Sequence, residues 1–137
     1  MSEENVEVAR RFVDALNAFM RGKISSEAWL ALWDEEAEFY PLRAQLEGES
    51  YSGHDGLMRF VAELREDFEE VRFEIEETRD AGEQVVAVGR FRARGRASGV
   101  DLDVPLGVFT KMQRGKIVYT RFFSEPAEAL EAAGLQE

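Results

Sequence analysis

The side chains able to do chemistry in this sequence fall into three groups. The first is built on phenols: Tyr40 and Tyr51 each carry a hydroxyl that can donate a hydrogen bond to a ligand oxygen. Tyr40 closes the run Ala37 to Tyr40 just before Pro41, and Glu38, two residues back, shares its strand face. A phenol with a pKa of about 10 is a poor base at neutral pH, so Glu38 is the nearest carboxylate on that wall able to move a proton. The second group is a row of arginines at alternate positions, Arg90, Arg92, Arg94 and Arg96, followed by Asp101 and Asp103. The fixed donor fork of arginine matches planar oxygen groups, so a row facing a cavity would take an anionic or carbonyl-rich ligand. Facing water, the same row is a set of modest salt bridges. Asp103, held ionised by an arginine opposite, suits an electrostatic role or a low-pKa base better than a proton donor. The third is His54, the only histidine, beside Asp55. Sequence neighbours at a helix start point in different directions, and the flanking glycines read as a surface turn, so no catalytic dyad is assigned. One histidine, no cysteine and no calcium-loop spacing of acids point to no metal and no cofactor.

The 137 residues suit one domain, 1–137, long enough to bury a core. A net charge of −11 argues against nucleic acid and against anionic membrane surfaces, both of which demand basic patches. No run approaches the roughly 18 apolar residues of a membrane span. The acidic start, MSEENVEVARR, lacks a signal-peptide pattern, so a cytoplasmic location is expected.

The elements that must position these groups follow from periodicity. Helical spacing of Val6, Ala9, Phe12, Val13, Leu16, Phe19 and Met20 predicts a helix over 3–21, ended by Gly22. SSEAWLALW predicts a short helix capped by Ser25 or Ser26, closed by Leu32 and Trp33, with Trp29 and Trp33 facing inward. Asp34 to Glu36 read as a polar elbow before a strand over 37–40. The glycine-containing loop RAQLEGESYSG leads into a third helix that carries Leu57, Phe60, Val61, Leu64 and Phe68 on one face. Alternation then takes over in VRFEIEE, EQVVAVGRFRARGRA, VDLDVPLGVFTKM and KIVYTRFF, separated by DAG, SG and QRG turns. Pro105 suggests an edge position or a bulge, and a last helix runs from Pro126 to Gly134. Segregated helices and strands predict an α+β fold, a bent sheet wrapped over helices.

With Ser98-Gly99 as a two-residue turn, opposed residue numbers sum to about 197, which sets Arg94 against Asp103 and Arg92 against Pro105. One hairpin face is then apolar (Gly89, Phe91, Ala93) and the other is the arginine row. Burial alone turns the apolar face inward.

VARRFVDALNA, AWLALWDEEAEFYP, YSGHDGLMRFVAEL and VFTKMQRGKIVYTRFF together resemble the SnoaL-like proteins, of the superfamily that also holds ketosteroid isomerases and nuclear transport factor two. The resemblance runs from about Val6 to Leu130. It implies a cone-shaped, cystatin-like α+β fold, three N-terminal helices packed in a strongly curved, mixed, mainly antiparallel sheet. It also implies a homodimer, with a pocket for a small hydrophobic or carbonyl- or carboxylate-bearing molecule. In ketosteroid isomerases one carboxylate moves the proton, while a tyrosine and a protonated aspartate hold the enolate oxygen. Those positions fall on Tyr40, Phe12 and Gly107, so that chemistry is not expected here. The overlay also turns Arg92 and Arg94 toward the cavity, against the burial argument, unless the apolar face is an outer dimer surface. It further lines the cavity with Phe109 and puts Thr120 and Phe122 on the inner face of the last strand. The reading that results is a small-molecule-binding protein with isomerase, polyketide cyclase or dehydratase chemistry on a carbonyl-bearing ligand. In it Tyr40 and Arg92 polarise an oxygen, and Asp103 or Glu38 moves a proton. Arg94, Trp29, Trp33, Phe12, Tyr51, Phe109 and Phe122 complete the site. The alternative is a non-enzymatic binding or dimeric interaction module whose interior is plugged by Trp29, Trp33 and Phe122.

Overall fold

The computed structural model describes residues 2–42, 48 and 50–135. Helix α1 (Ser2–Met20) buries Phe12, Val13, Leu16 and Phe19 along one face, and Gly22 leaves it in the left-handed region at φ +72°. Helix α2 (Ser26–Leu30) is capped by Ser25, whose Oγ accepts from the Ala28 N–H at 3.1 Å. It stops at Leu30, short of the expected Trp33. Strand β1 (Trp33–Tyr40) begins there instead, because Trp33 pairs in parallel with Ile117 near the other end of the chain. Asp34 to Glu36 are thus not an elbow but part of this strand, at an irregularity where Asp34 Oδ2 accepts from the Glu36 N–H.

Residues 43–47 and 49 of the expected loop lie outside the described residues. Strand β2 (Tyr51–Ser52) pairs with β1, setting Tyr51 beside Phe39, and helix α3 (Gly53–Asp67) follows, burying Leu57, Phe60, Val61 and Leu64. Then come β3 (Phe68–Ala81), β4 (Gln84–Gly95), β5 (Asp101–Gln113), β6 (Lys116–Phe123) and helix α4 (Pro126–Ala132). The sheet order is β2-β1-β6-β5-β4-β3, antiparallel except for β1 with β6. This is the expected mixed, mainly antiparallel α+β arrangement. No described helix is long and apolar enough to cross a membrane.

The β4–β5 hairpin differs in register from the sequence reading. Arg92 faces Asp103 and Arg94 faces Asp101, two residues away from the expected pairing. The loop is longer than two residues: Gly95 donates to the Val100 carbonyl and Gly99 to the Gly95 carbonyl. A shift of two leaves every side chain on its face, so the expected alternation stands. Pro105 lies on β5 before its pairing with β6 begins at Gly107, a local edge where the missing N–H costs no ladder bond.

Burial decides which face turns in. Phe91 and Ala93 are each 7% exposed inside the core, whereas the Arg92 and Arg94 side chains are 51% and 45% exposed. Arg92 and Arg94 therefore face away from the core, in a surface groove and not in the interior, and the idea of the apolar face as an outer surface is corrected. The interior is an aromatic chain: Phe12 to Trp33 at 5.0 Å between ring centroids, Trp33 to Phe39 at 5.8 Å, Phe39 to Phe122 at 5.0 Å, and Phe122 to Phe73 at 5.7 Å. Edge-on geometry at several of these contacts suits the ring quadrupoles.

Curvature comes from β3 and β4. A register shift between Ile75 and Glu77 bends β3, and Gly89 opposite lets the backbones close up. Helix α1 holds the bend. The Asn17 amide donates to the Phe73 carbonyl at 2.8 Å and accepts from its N–H at 2.9 Å, satisfying both backbone groups on this edge strand. On the outer face, α4 covers Val86, Phe109 and Phe123 with Ala129 and Leu130. Phe109 is thus under α4 and not in the cavity, because Leu106, Val108 and Thr110 take the inward positions of β5. Thr120 and Phe122 do face the core, as expected.

Candidate functional site

Between α3 and the inner sheet face lies a half-open recess of about 170 Å³, lined by Tyr51, Phe60, Glu63, Leu64, Phe68, Phe73, Phe91 and Phe122, with Pro41 and Leu42 at one side. Local chemistry explains each wall. Pairing of β2 with β1 carries Tyr51 inward, and Gly56 lets α3 settle on it, since a Cβ there would come within 2.9 Å of the Tyr51 backbone. Phe60 and Leu64 lie four apart on the buried face of α3. Phe73 and Phe91 meet across the β3–β4 pair with centroids 5.1 Å apart.

Among the described residues, the polar groups of the lining side chains are one phenol and one carboxylate. The Tyr51 hydroxyl donates to the Glu63 carboxylate. Tyr51 is 1% exposed and the Glu63 side chain 32%, so the pair joins the buried wall to the rim. The Arg59 guanidinium stacks 4.5 Å from the Tyr51 ring centroid and stands 3.9 Å from Glu63 Oε2, with its own side chain 56% exposed. Such a pair can accept a proton or a hydrogen bond at the carboxylate, with the phenol steadying the charge.

The sequence-derived candidates separate into those at the recess and those elsewhere. Tyr51 and Phe122 line it. Phe12, Trp29 and Trp33 are each 1% exposed and pack in the core without lining it. Trp33 does so from β1 rather than from a helix. Tyr40 is on the outer face, its ring 5.4 Å from that of Tyr119 and 5.2 Å from the Arg121 guanidinium. Glu38 is exposed on the same face, one strand-step away from inward-facing Phe39. Asp103 is also outside, bonded to Arg90 and near Arg92. Placement of Tyr40 and Glu38 on an inward wall is therefore corrected, because the inward residue at that point of β1 is Phe39, while Asp103 lines a surface groove along the arginine row and not the recess. His54 accepts or donates nothing to Asp55 in the described contacts; its Nε2 lies 3.1 Å from the Trp33 carbonyl, pinning the start of α3 to β1.

The arginine row behaves as a solvated ion-pair network. Hydrogen bonding from Arg94, then its charge, holds Asp101 below the usual carboxylate range. Asp103 is held low mainly by the Arg90 hydrogen bond, against a smaller desolvation effect. The same bonds raise Arg90 and Arg94. A wider groove of about 870 Å³ is lined by Arg92, Arg94, Asp101 and Asp103 of this network together with Arg65 and Arg96. Those two guanidiniums are already donating to backbone carbonyls at the C-terminal ends of α1 and α3, Arg65 to Phe19 and Arg96 to Arg65 and Phe68.

Glu63 and the recess were missed in the sequence. The one available signal was the Arg59/Glu63 spacing of four beside Phe60 and Leu64, which ELRED hides among other charges.

Solved structures share this architecture. A SnoaL-like protein of Jannaschia sp. CCS1 matches with a TM-score of 0.76 at 20% identity, over 90% of this chain and 86% of that one. A ketosteroid isomerase-like protein of Catenulispora acidiphila, in complex with trimethylamine, matches at 0.70 and 17% identity over 90% and 92%. TerC, co-crystallised with polyporic acid, matches at 0.73 and 17% identity over 96% and 98%. No curated protein matches the sequence. The SnoaL-like domain family matches residues 9–120, from within α1 to the middle of β6 and including every described recess residue except Phe122, and the chain belongs to that family.

Proposed function

We propose that this chain binds a small, largely apolar molecule in the recess between α3 and the sheet, with Tyr51 and Glu63 as its polar contacts. The observation that carries this reading is a phenol–carboxylate pair set at the edge of an otherwise aromatic and aliphatic recess. Pockets of this kind, apolar with a few placed polar groups, are the usual form of small-molecule sites. The size selects the ligand. A volume of about 170 Å³ is close to the ~150 Å³ cavity that takes benzene, so the recess accommodates one ring or a compact branched group of a ligand. Occupancy of related folds by polyporic acid and trimethylamine agrees with small-molecule binding.

Isomerase, cyclase or dehydratase chemistry, if this chain performs it, runs on Glu63 as the proton acceptor with Tyr51 steadying the carboxylate. Tyr40, Glu38 and Asp103 stand on the far side of the sheet from the recess. Binding without turnover is the second reading; among the described residues the recess offers no free hydrogen-bond donor to stabilise charge developing on a ligand oxygen, which favours it.

Thermal-shift measurements with cyclohexanone and benzyl alcohol test the site. At about 100 times its dissociation constant, either ligand stabilises the fold by roughly 2.7 kcal/mol. Leu64→Phe, which fills the recess, should raise the unliganded melting temperature and abolish the response. A response that survives the filled recess would place binding elsewhere.

A further inference from the structure

Resting on that reading of the recess, we infer that its ligand is a small organic ammonium ion, a tertiary or quaternary alkylamine in cationic form. Two features of the wall converge on this. The first is the direction of the Tyr51–Glu63 hydrogen bond. Because the phenol proton is donated to Glu63, the pair turns lone pairs and negative charge toward a ligand, not a donor hydrogen. Among the described residues no other lining side chain carries an N–H or O–H, since the rest are proline, leucines and phenylalanines. Among these described side chains a carbonyl ligand finds only the engaged Tyr51 hydroxyl as a donor, whereas an ammonium ion finds a carboxylate acceptor.

The second feature is the surrounding of rings. Phe60, Phe68, Phe73, Phe91 and Phe122 join Tyr51 around a space of about 170 Å³. Ring faces carry negative potential and attract quaternary and tertiary ammonium groups, and a cage of several rings beside one carboxylate is the arrangement that recognises them. Tyr51 already shows the effect at its rim, where the Arg59 guanidinium sits 4.5 Å from the ring centroid. That same guanidinium competes with an incoming cation for Glu63. A net charge of −11 adds a long-range attraction for cations over the whole surface.

Calorimetric titration of the full chain separates this inference from the reading beneath it. The probes are tetramethylammonium, its uncharged shape-mimic neopentyl alcohol, and cyclohexanone, all at constant ionic strength. The expected result is that tetramethylammonium binds about tenfold more tightly than the alcohol. Glu63→Gln should lower the ammonium affinity by about tenfold and leave the alcohol unchanged, and Arg59→Gln, by removing the competing cation, should raise it several-fold. Unchanged melting temperatures of both variants before ligand addition show that the fold is retained. Binding of cyclohexanone or the alcohol with none of the ammonium would overturn the ammonium assignment and leave the recess as the site. Binding of none of the three would overturn both.

Discussion

Replacing Gly89 by alanine tests the device that bends the sheet around the recess. A Cβ at this position would lie 1.8 Å from the Glu74 carbonyl oxygen and within 2.9 Å of the carbonyl carbon and of Ile75 Cα, all backbone atoms that cannot rotate away. Relief to the 3.0 Å that real Cβ atoms tolerate requires β3 and β4 to separate locally by about 1 Å. That movement weakens the ladder around the Ile75–Gly89 pair, roughly two hydrogen bonds at about 1 kcal/mol each. It also disturbs the Phe73–Phe91 contact next along the strands, an overpacking penalty of about 1–3 kcal/mol. Lower chain entropy in the unfolded state returns about 0.4–1 kcal/mol. The net expectation is a loss of about 3 kcal/mol. With a urea m-value of about 2 kcal/mol/M, the denaturation midpoint falls by roughly 1.5 M. Gly99→Ala is the control: its φ of +67° costs only about 1 kcal/mol of left-handed strain, because nothing lies within 4 Å of a Cβ there. A Gly89→Ala loss no larger than that of Gly99→Ala would refute the close approach as the source of curvature.

Two further expectations concern the outer face. Asp101 and Asp103 have folded pKa values lowered by their arginines, so their contribution is present above the unfolded carboxylate pKa of about 3.9 and is lost as pH falls through the lower folded values. Asp103→Asn should therefore flatten the acid limb of a stability–pH curve below about pH 4, an effect that shrinks in high salt because these side chains are exposed. A curve identical to that of the parent protein would show the Arg90–Asp103 bond to be absent in solution. Gly107→Ala should push α4 off the sheet, since its Cβ would lie 2.8 Å from Ala129 Cβ and 3.0 Å from Pro126 Cα. The expected cost is about 1–3 kcal/mol in urea denaturation, and a neutral result would mean that α4 does not seat where β5 places it.

The legible parts of the chain were those whose signal is local. Period 3.6 marked α1 and α3 and period 2 marked β3 to β6, and Gly22, Gly115 and Gly134 took up the positive φ angles expected at element ends. The errors arose where a distant partner decides. Trp33 continues an apolar run that looks helical, and only its pairing with Ile117 on β6 makes it the first residue of a strand. The family overlay turns Tyr40 inward, and a phase difference of one residue in β1 exchanges it with Phe39. The arginine row was correctly grouped on one face, and burial of Phe91 and Ala93, not the overlay, told which way that face points. The recess gathers residues from β2, α3, β3, β4 and β6, and no spacing along the chain announces such a meeting.

The most direct test of the central claim is a map of ligand-induced chemical-shift changes by NMR, using tetramethylammonium and benzyl alcohol on protein with labelled methyl groups and backbone amides. Binding in the recess predicts that the largest changes fall on the Leu64 methyls and on the amides of Tyr51, Phe60 and Phe91. Changes centred on Tyr40, Arg92 or Asp103, with Leu64 undisturbed, would contradict it and move the site to the outer face of the sheet.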